Sequence, residues 1–132
     1  MQVIKTNQPG TLGDLIHWEV NPTFTTEDGV LLAGSGGARV IDQFTVIAQV
    51  TASKKLQTID FAGSGGANVA YGVSLLPAQA ADGVDGEIKY LRRGPAIIHA
   101  ESLVWPAGAT DNQKATALAA LLAQGILAKT GI

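Results

Sequence analysis

The sequence predicts a mainly β protein of the α+β class: a small antiparallel, barrel-like β body with one C-terminal α-helix, preceded by an extended N-terminal arm. Three observations lead there. Short apolar segments recur between turn residues, as strands do. Only one stretch combines helical periodicity with signals at both ends, and the strand–helix alternation of a parallel α/β sheet is missing.

Residues 1–13 come first and hold little apolar content beyond Val3, Ile4 and Leu12. That is too little to anchor the segment to its own core, so it reads as an arm in front of a single β-rich domain, 14–132. Between 14 and 20, Ile16, Trp18 and Val20 alternate with His17 and Glu19, the pattern of a strand with one buried face. Further strands are expected at 39–50, 56–61, 69–76, 87–93 and 96–100, with the cleanest alternation at Val69, Tyr71, Val73 and Leu75. Glu27-Asp28-Gly29, Asp82-Gly83 and Asp85-Gly86 carry turn chemistry.

The helix spans 110–124. Thr110 is a good N-cap, Gln113 completes a T-x-x-Q capping box, and Asp111 in the first turn suits the positive end of the helix dipole. Ala115, Leu118, Ala119 and Leu122, widened by Leu121, form the stripe expected to be buried. Gly125 ends the helix as a left-handed residue, and Ile126 can fold back onto Leu121.

A chain of 132 residues makes one domain, long enough to remove roughly two thirds of its unfolded surface from water. It has no Cys, so neither a disulfide nor a thiolate metal site is expected. Nine Lys and Arg against eleven Asp and Glu give a net charge of −2, without a basic tract that would neutralise a run of phosphates; nucleic acid is not an expected partner. Nor is a membrane, since no apolar run approaches the ~20 residues needed to span one and the N-terminus lacks a signal-peptide core.

The search for chemistry finds no expected catalytic, metal or cofactor site. His17 and His99 lack metal-ligand spacing, and each reads as an ordinary strand residue. The string Ala-Gly-Ser-Gly-Gly-Ala occurs at 33–38 and again at 62–67, without the Lys of a P-loop or a G-x-G-x-x-G order, so loop tips explain it better than phosphate or nucleophile loops. Ser35 and Ser64 sit in those tips and not in a hydrolase elbow. Asp82, Asp85 and Glu87 lack the order of a calcium loop. Arg92 and Arg93 point to opposite faces of a strand, free to pair locally or across a subunit contact. Trp18 and Trp105 are large enough to anchor an interface or to complete the core. The arm, polar and proline-punctuated, can lend its backbone to a neighbour's strand edge or stay a loose terminus.

Several segments, in order, resemble the lambda-type head decoration proteins of tailed bacteriophages. They are Tyr90-Leu91-Arg92-Arg93-Gly94-Pro95-Ala96, Leu103-Val104-Trp105-Pro106-Ala107-Gly108-Ala109-Thr110, the Ala-rich helix closing on Gly125-Ile126, and Thr25-Thr26-Glu27-Asp28-Gly29 leading into Val30-Leu31-Leu32-Ala33-Gly34. The chain departs from the family pattern at 44–48, where a Gly-Thr-Val-Leu-Gly type strand is common, and in longer glycine-rich inserts.

The resemblance implies a non-enzymatic protein that forms a homotrimer and docks on the outer face of an expanded icosahedral head, at threefold and quasi-threefold positions. It implies synthesis in the host cytoplasm, residence on the capsid surface of the virion, and the phage major capsid protein as partner. The capsid-binding arm then falls, by position and character, on Gln2, Val3, Ile4, Lys5, Thr6, Asn7, Gln8, Pro9, Gly10, Thr11 and Leu12, with Trp18, Arg92, Arg93 and Trp105 as candidate subunit or capsid contacts. A carbohydrate-binding or adhesion module, using Trp18 or Trp105 as a sugar platform, is the rival reading. A small hydrolase built on His17 or His99 is a weaker one.

Overall fold

The computed structural model describes residues 11–131. The chain runs α1 (Leu12–Leu15), β1 (Ile16–Glu19), α2 (Pro22–Thr25), β2 (Thr26–Leu31), β3 (Arg39–Ile41), β4 (Val46–Gln49), β5 (Leu56–Thr58), β6 (Ala70–Ser74), β7 (Ala78–Ala80), β8 (Gly86–Leu91), β9 (Ala96–His99), a 3-10 turn (Ala100–Ser102), α3 (Asp111–Ala123) and β10 (Ile126–Lys129). It is mainly β, as the sequence predicts. Strands β2-β5-β4-β6-β8 close into a barrel, β1-β9-β10 form a separate three-stranded sheet, and β3 pairs with β7. The pairing is antiparallel except at β2 with β5 and at β9 with β10.

Strand alternation divides the apolar side chains between two cores. Ile47 of β4 and Tyr90 of β8 join Leu31, Ile41, Leu56, Ala80 and Ile88 in one cluster. Their chain neighbours Val46, Ala48 and Leu91 point the other way, into a larger cluster with Ala96 and Ile98 of β9, Ala117 and Leu121 of α3, and Ile126. The second cluster joins barrel, helix and small sheet into one body.

The expected strand at 39–50 is two strands. Phe44 between them has φ +67, and the break is held by hydrogen bonds: the Thr45 and Ser74 hydroxyls both donate to the Asp42 carbonyl, at 2.7 and 2.9 Å. The turn expected at Glu27-Asp28-Gly29 is instead the middle of β2. These residues pair with Tyr90, Lys89 and Ile88 of β8, and an Asp28–Lys89 ion pair at 2.9 Å spans the register, so long-range pairing overrides local turn propensity. β7 and β10 also lie outside the predicted strands.

The helix has its predicted ends. The Gln113 amide donates to Thr110 Oγ1 at 3.1 Å, the Thr110 amide donates to Gln113 Oε1 at 2.9 Å, and Gly125 follows the C-cap at φ +88. Its buried face differs from the expected one. Ala117 and Leu121 are buried and Leu118 packs partly against them, whereas Ala115 and Ala119 are exposed and Leu122 is 56% exposed. Alanine and leucine occur all round this helix, so the period alone does not choose a face.

The alternation in β1 is also corrected. Ile16 is half-buried and the fully buried residue is Leu15 of α1, while Trp18 and Val20 are each 50% exposed. A register irregularity between Ile16 and Trp18 shifts the pattern, and no other element of the described chain covers the outer side of this sheet enough to bury Trp18.

The two Ala-Gly-Ser-Gly-Gly-Ala strings share positive φ at matching glycines but are held at different positions. Gly36 and its counterpart Gly65 have φ +75 and +65, and each tip is tied by an aspartate: Gly36 N–H donates to Asp82 Oδ1 and Ala62 N–H to Asp60 Oδ1, both at 3.0 Å.

Candidate functional site

Where the described chain begins, Thr11 and Asp14 hold each other. The Thr11 amide donates to Asp14 Oδ2 at 2.8 Å and the Asp14 amide donates to the Thr11 carbonyl at 2.9 Å. Leu15 at 0% exposure and a bond from Ser102 Oγ to the Asp14 carbonyl, 2.5 Å, then fasten α1 to the body. Thr11 and Leu12, assigned to the arm by sequence, therefore form the first turn, with Leu12 46% exposed. Gln2 to Gly10 lie outside the described residues.

α1 runs directly into β1, which carries Trp18 onto the outer side of the small sheet. Trp18 pairs with Ile97 of β9, and Ile97 pairs with Leu127 of β10, so the three side chains form a row across three strands. The residues between them in sequence, Ala96, Ile98 and Ile126, face the core. Beside this row, His99 pairs with Lys129, and the His17 and His99 rings meet edge to face with centroids 5.6 Å apart. Sequence reasoning named Trp18 but missed Ile97 and Leu127, because the row is assembled from three distant segments. The only early signal was the large aromatic in a predicted strand.

Arg92 and Arg93 turn to different partners within the chain. The Arg92 guanidinium lies over the Tyr71 ring, 4.2 Å from its centroid, and donates to Gln124 Oε1. Arg93 pairs with Glu27, donates to the Phe24 carbonyl at 2.6 Å and sits 5.1 Å from the centroid of the Phe24 ring. Trp105, half-buried, stacks on Phe61 with centroids 6.4 Å apart, and Lys114 Nζ lies 6.0 Å from its ring. Of the four named contacts, Trp18 is the one that offers a large apolar surface outward.

Two of the aspartates hold loops in place. Asp85 accepts from Lys55 at 2.7 Å and from the Ala33 amide at 3.1 Å, and the Lys55 ammonium holds its carboxyl below the usual carboxylate range. Asp82 ties the first glycine tip. Among the described residues no three His, Asp or Glu gather as a metal site would require, and no helix is long and apolar enough to cross a membrane. A cleft of about 420 Å³ lies between residues 57–62 and 106–109, with Arg39 and Gln113 on its walls.

The described residues thus form a closed β barrel joined to a small three-stranded sheet whose outer side carries an apolar row. The family model for the bacteriophage lambda head decoration protein D matches residues 4–126, and the chain belongs to that family. Its members are structural proteins of the phage capsid, which gives this chain a capsid decoration role in the virion. None of the curated proteins compared with the chain matches it.

Proposed function

We propose that the chain forms a homotrimer that binds the outer surface of the expanded head at threefold and quasi-threefold positions and stabilises the shell against the pressure of packaged DNA. The N-terminal arm, shortened to residues 2–10 because Thr11 and Leu12 belong to α1, pairs with strands of the major capsid protein by β-augmentation. The family match, which extends into the arm at residue 4, carries this reading.

The physical logic is avidity. Each arm adds a few backbone hydrogen bonds worth about 0.5–1.5 kcal/mol net apiece. Three arms on one trimer act together, because each bound arm raises the effective concentration of the others. A ligand that binds only the expanded shell then lowers the free energy of that state relative to disrupted ones.

The test is removal of residues 2–10, which stops short of the Thr11–Asp14 pair so that α1 keeps its start. The truncated protein is expected to fold and trimerise but to stay in the supernatant when expanded, undecorated heads are pelleted. Full co-sedimentation of the truncated form would remove the arm from the mechanism.

A further inference from the structure

We propose that the outer face of the β1-β9-β10 sheet, centred on Trp18, Ile97 and Leu127, is the seat by which the folded body rests on the capsid protein beside the point where the arm attaches. This rests on the capsid-binding reading above and adds a second contact to it.

The face is an apolar row, and its composition is that of an interface core. Trp18 is 50% exposed and Leu127 39% exposed, with Ile97 half-buried between them. Val20, 50% exposed, continues the strip past the end of β1, where its amide donates to the Pro95 carbonyl at 3.0 Å. His17, His99 and Lys129 supply a polar margin on the other side. A large aromatic flanked by aliphatic side chains and rimmed by polar ones is how binding energy is concentrated at protein contacts. The other exposed valines differ. Val30 and Val40 lie in different strands, β2 and β3, and Val69, Val84 and Val104 lie in connections between elements, as scattered surface apolar residues do.

The occupant follows from where the chain outside the described residues attaches. Ten residues precede Thr11, and they span at most about 33–36 Å when fully extended. Thr11 leads through a single helical turn into β1, the strand that carries Trp18. A capsid strand that receives the arm is therefore held within that reach of Thr11, which lies seven residues before Trp18 in the chain. Tethering presents the row to the same partner at high effective concentration, so even a modest apolar contact is populated once the arm is bound.

The experiment uses full-length protein with Trp18→Ser, Leu127→Ser and, as a control on an isolated exposed valine, Val40→Ser. Binding to expanded, undecorated heads is measured by co-sedimentation, oligomeric state by sedimentation velocity, and folding by circular dichroism. Trp18→Ser and Leu127→Ser are expected to weaken head binding about tenfold, with folding and oligomeric state unchanged and Val40→Ser binding as the parent does. Parent-like binding by both variants overturns the seat while leaving the arm reading intact. Loss of the oligomer in both variants also overturns it, assigning the face to a second copy of the chain. A parent protein that ignores the heads overturns the capsid-binding reading and the seat together. Should one variant misfold, the other decides.

Discussion

Arg92 and Gln124 close a ring of contacts around Tyr71. The Arg92 guanidinium covers the Tyr71 ring at 4.2 Å and donates to Gln124 Oε1, while Gln124 Nε2 donates to the Tyr71 carbonyl at 3.3 Å. One side chain thus ties the end of β8 to β6 and to the C-cap of α3. Arg92→Ala is expected to destabilise the fold by about 2–4 kcal/mol, the sum of a half-buried cation–π contact and a charge-assisted hydrogen bond. Arg92→Lys should recover only part of that, because an ammonium cannot lie flat on the ring and reach Gln124 together. Urea denaturation of the three proteins measures the difference.

The helix face gives a sharper contrast. Leu121 is fully buried and Leu122, its neighbour, is 56% exposed. Leu121→Ala is expected to cost about 2–5 kcal/mol through lost burial and a cavity in the larger core cluster, which also holds Ala117 and Ile126. Leu122→Ala should stay within about 0.5 kcal/mol of the parent. Equal losses in thermal or urea unfolding would mean that α3 packs on a different face.

These cases mark what a sequence of this kind discloses. The ends of α3 were legible because capping is local: Thr110 meets Gln113 three residues away, and Gly125 sets its own φ. The buried face was not, since alanine and leucine occur on several sides of the helix and its packing on β10 and β6 selects among them. β2 was hidden for a related reason. Glu27-Asp28-Gly29 has turn chemistry, and its extended form depends on β8, whose Lys89 meets Asp28. The outward row of the small sheet was the least legible, because Trp18, Ile97 and Leu127 become neighbours only through two long-range pairings, one of them parallel. The mainly β, barrel-like character of the body and its one longer helix, α3, rest on repeated local patterns and were readable, whereas the four-residue helices α1 and α2 were not.

Gly94 is pressed against the end of the same helix. Its amide donates to the Gln124 carbonyl at 2.9 Å, the Ala96 amide donates to the Gly125 carbonyl at 3.0 Å, and a Cβ at Gly94 would lie 1.8 Å from the Gly125 carbonyl oxygen. Backbone on both sides leaves no flexible side chain to yield. Gly94→Ala is therefore expected to destabilise by at least about 1–3 kcal/mol, the usual cost of overpacking. A lowered urea midpoint would bear this out; an unchanged one would mean that the junction can part from the helix.

Tyr90 links the barrel interior to pH. Burial, reinforced by the neighbouring Tyr71, raises its phenol above the ordinary value of 10.0, so the folded state holds the proton more tightly than the unfolded chain does. A raised folded-state value contributes stability that is fully present below pH ~10 and is lost as pH climbs from there toward the folded-state value, because the unfolded chain ionises first. Unfolding midpoints of the parent protein should hold steady on the alkaline side up to about that pH and then decline. Tyr90→Phe has no proton to lose at this position and should decline less steeply over the same range. Midpoints from chemical denaturation at pH 8 to 11.5 measure both slopes, and superimposable curves would show that Tyr90 ionises within the intact barrel as easily as in water.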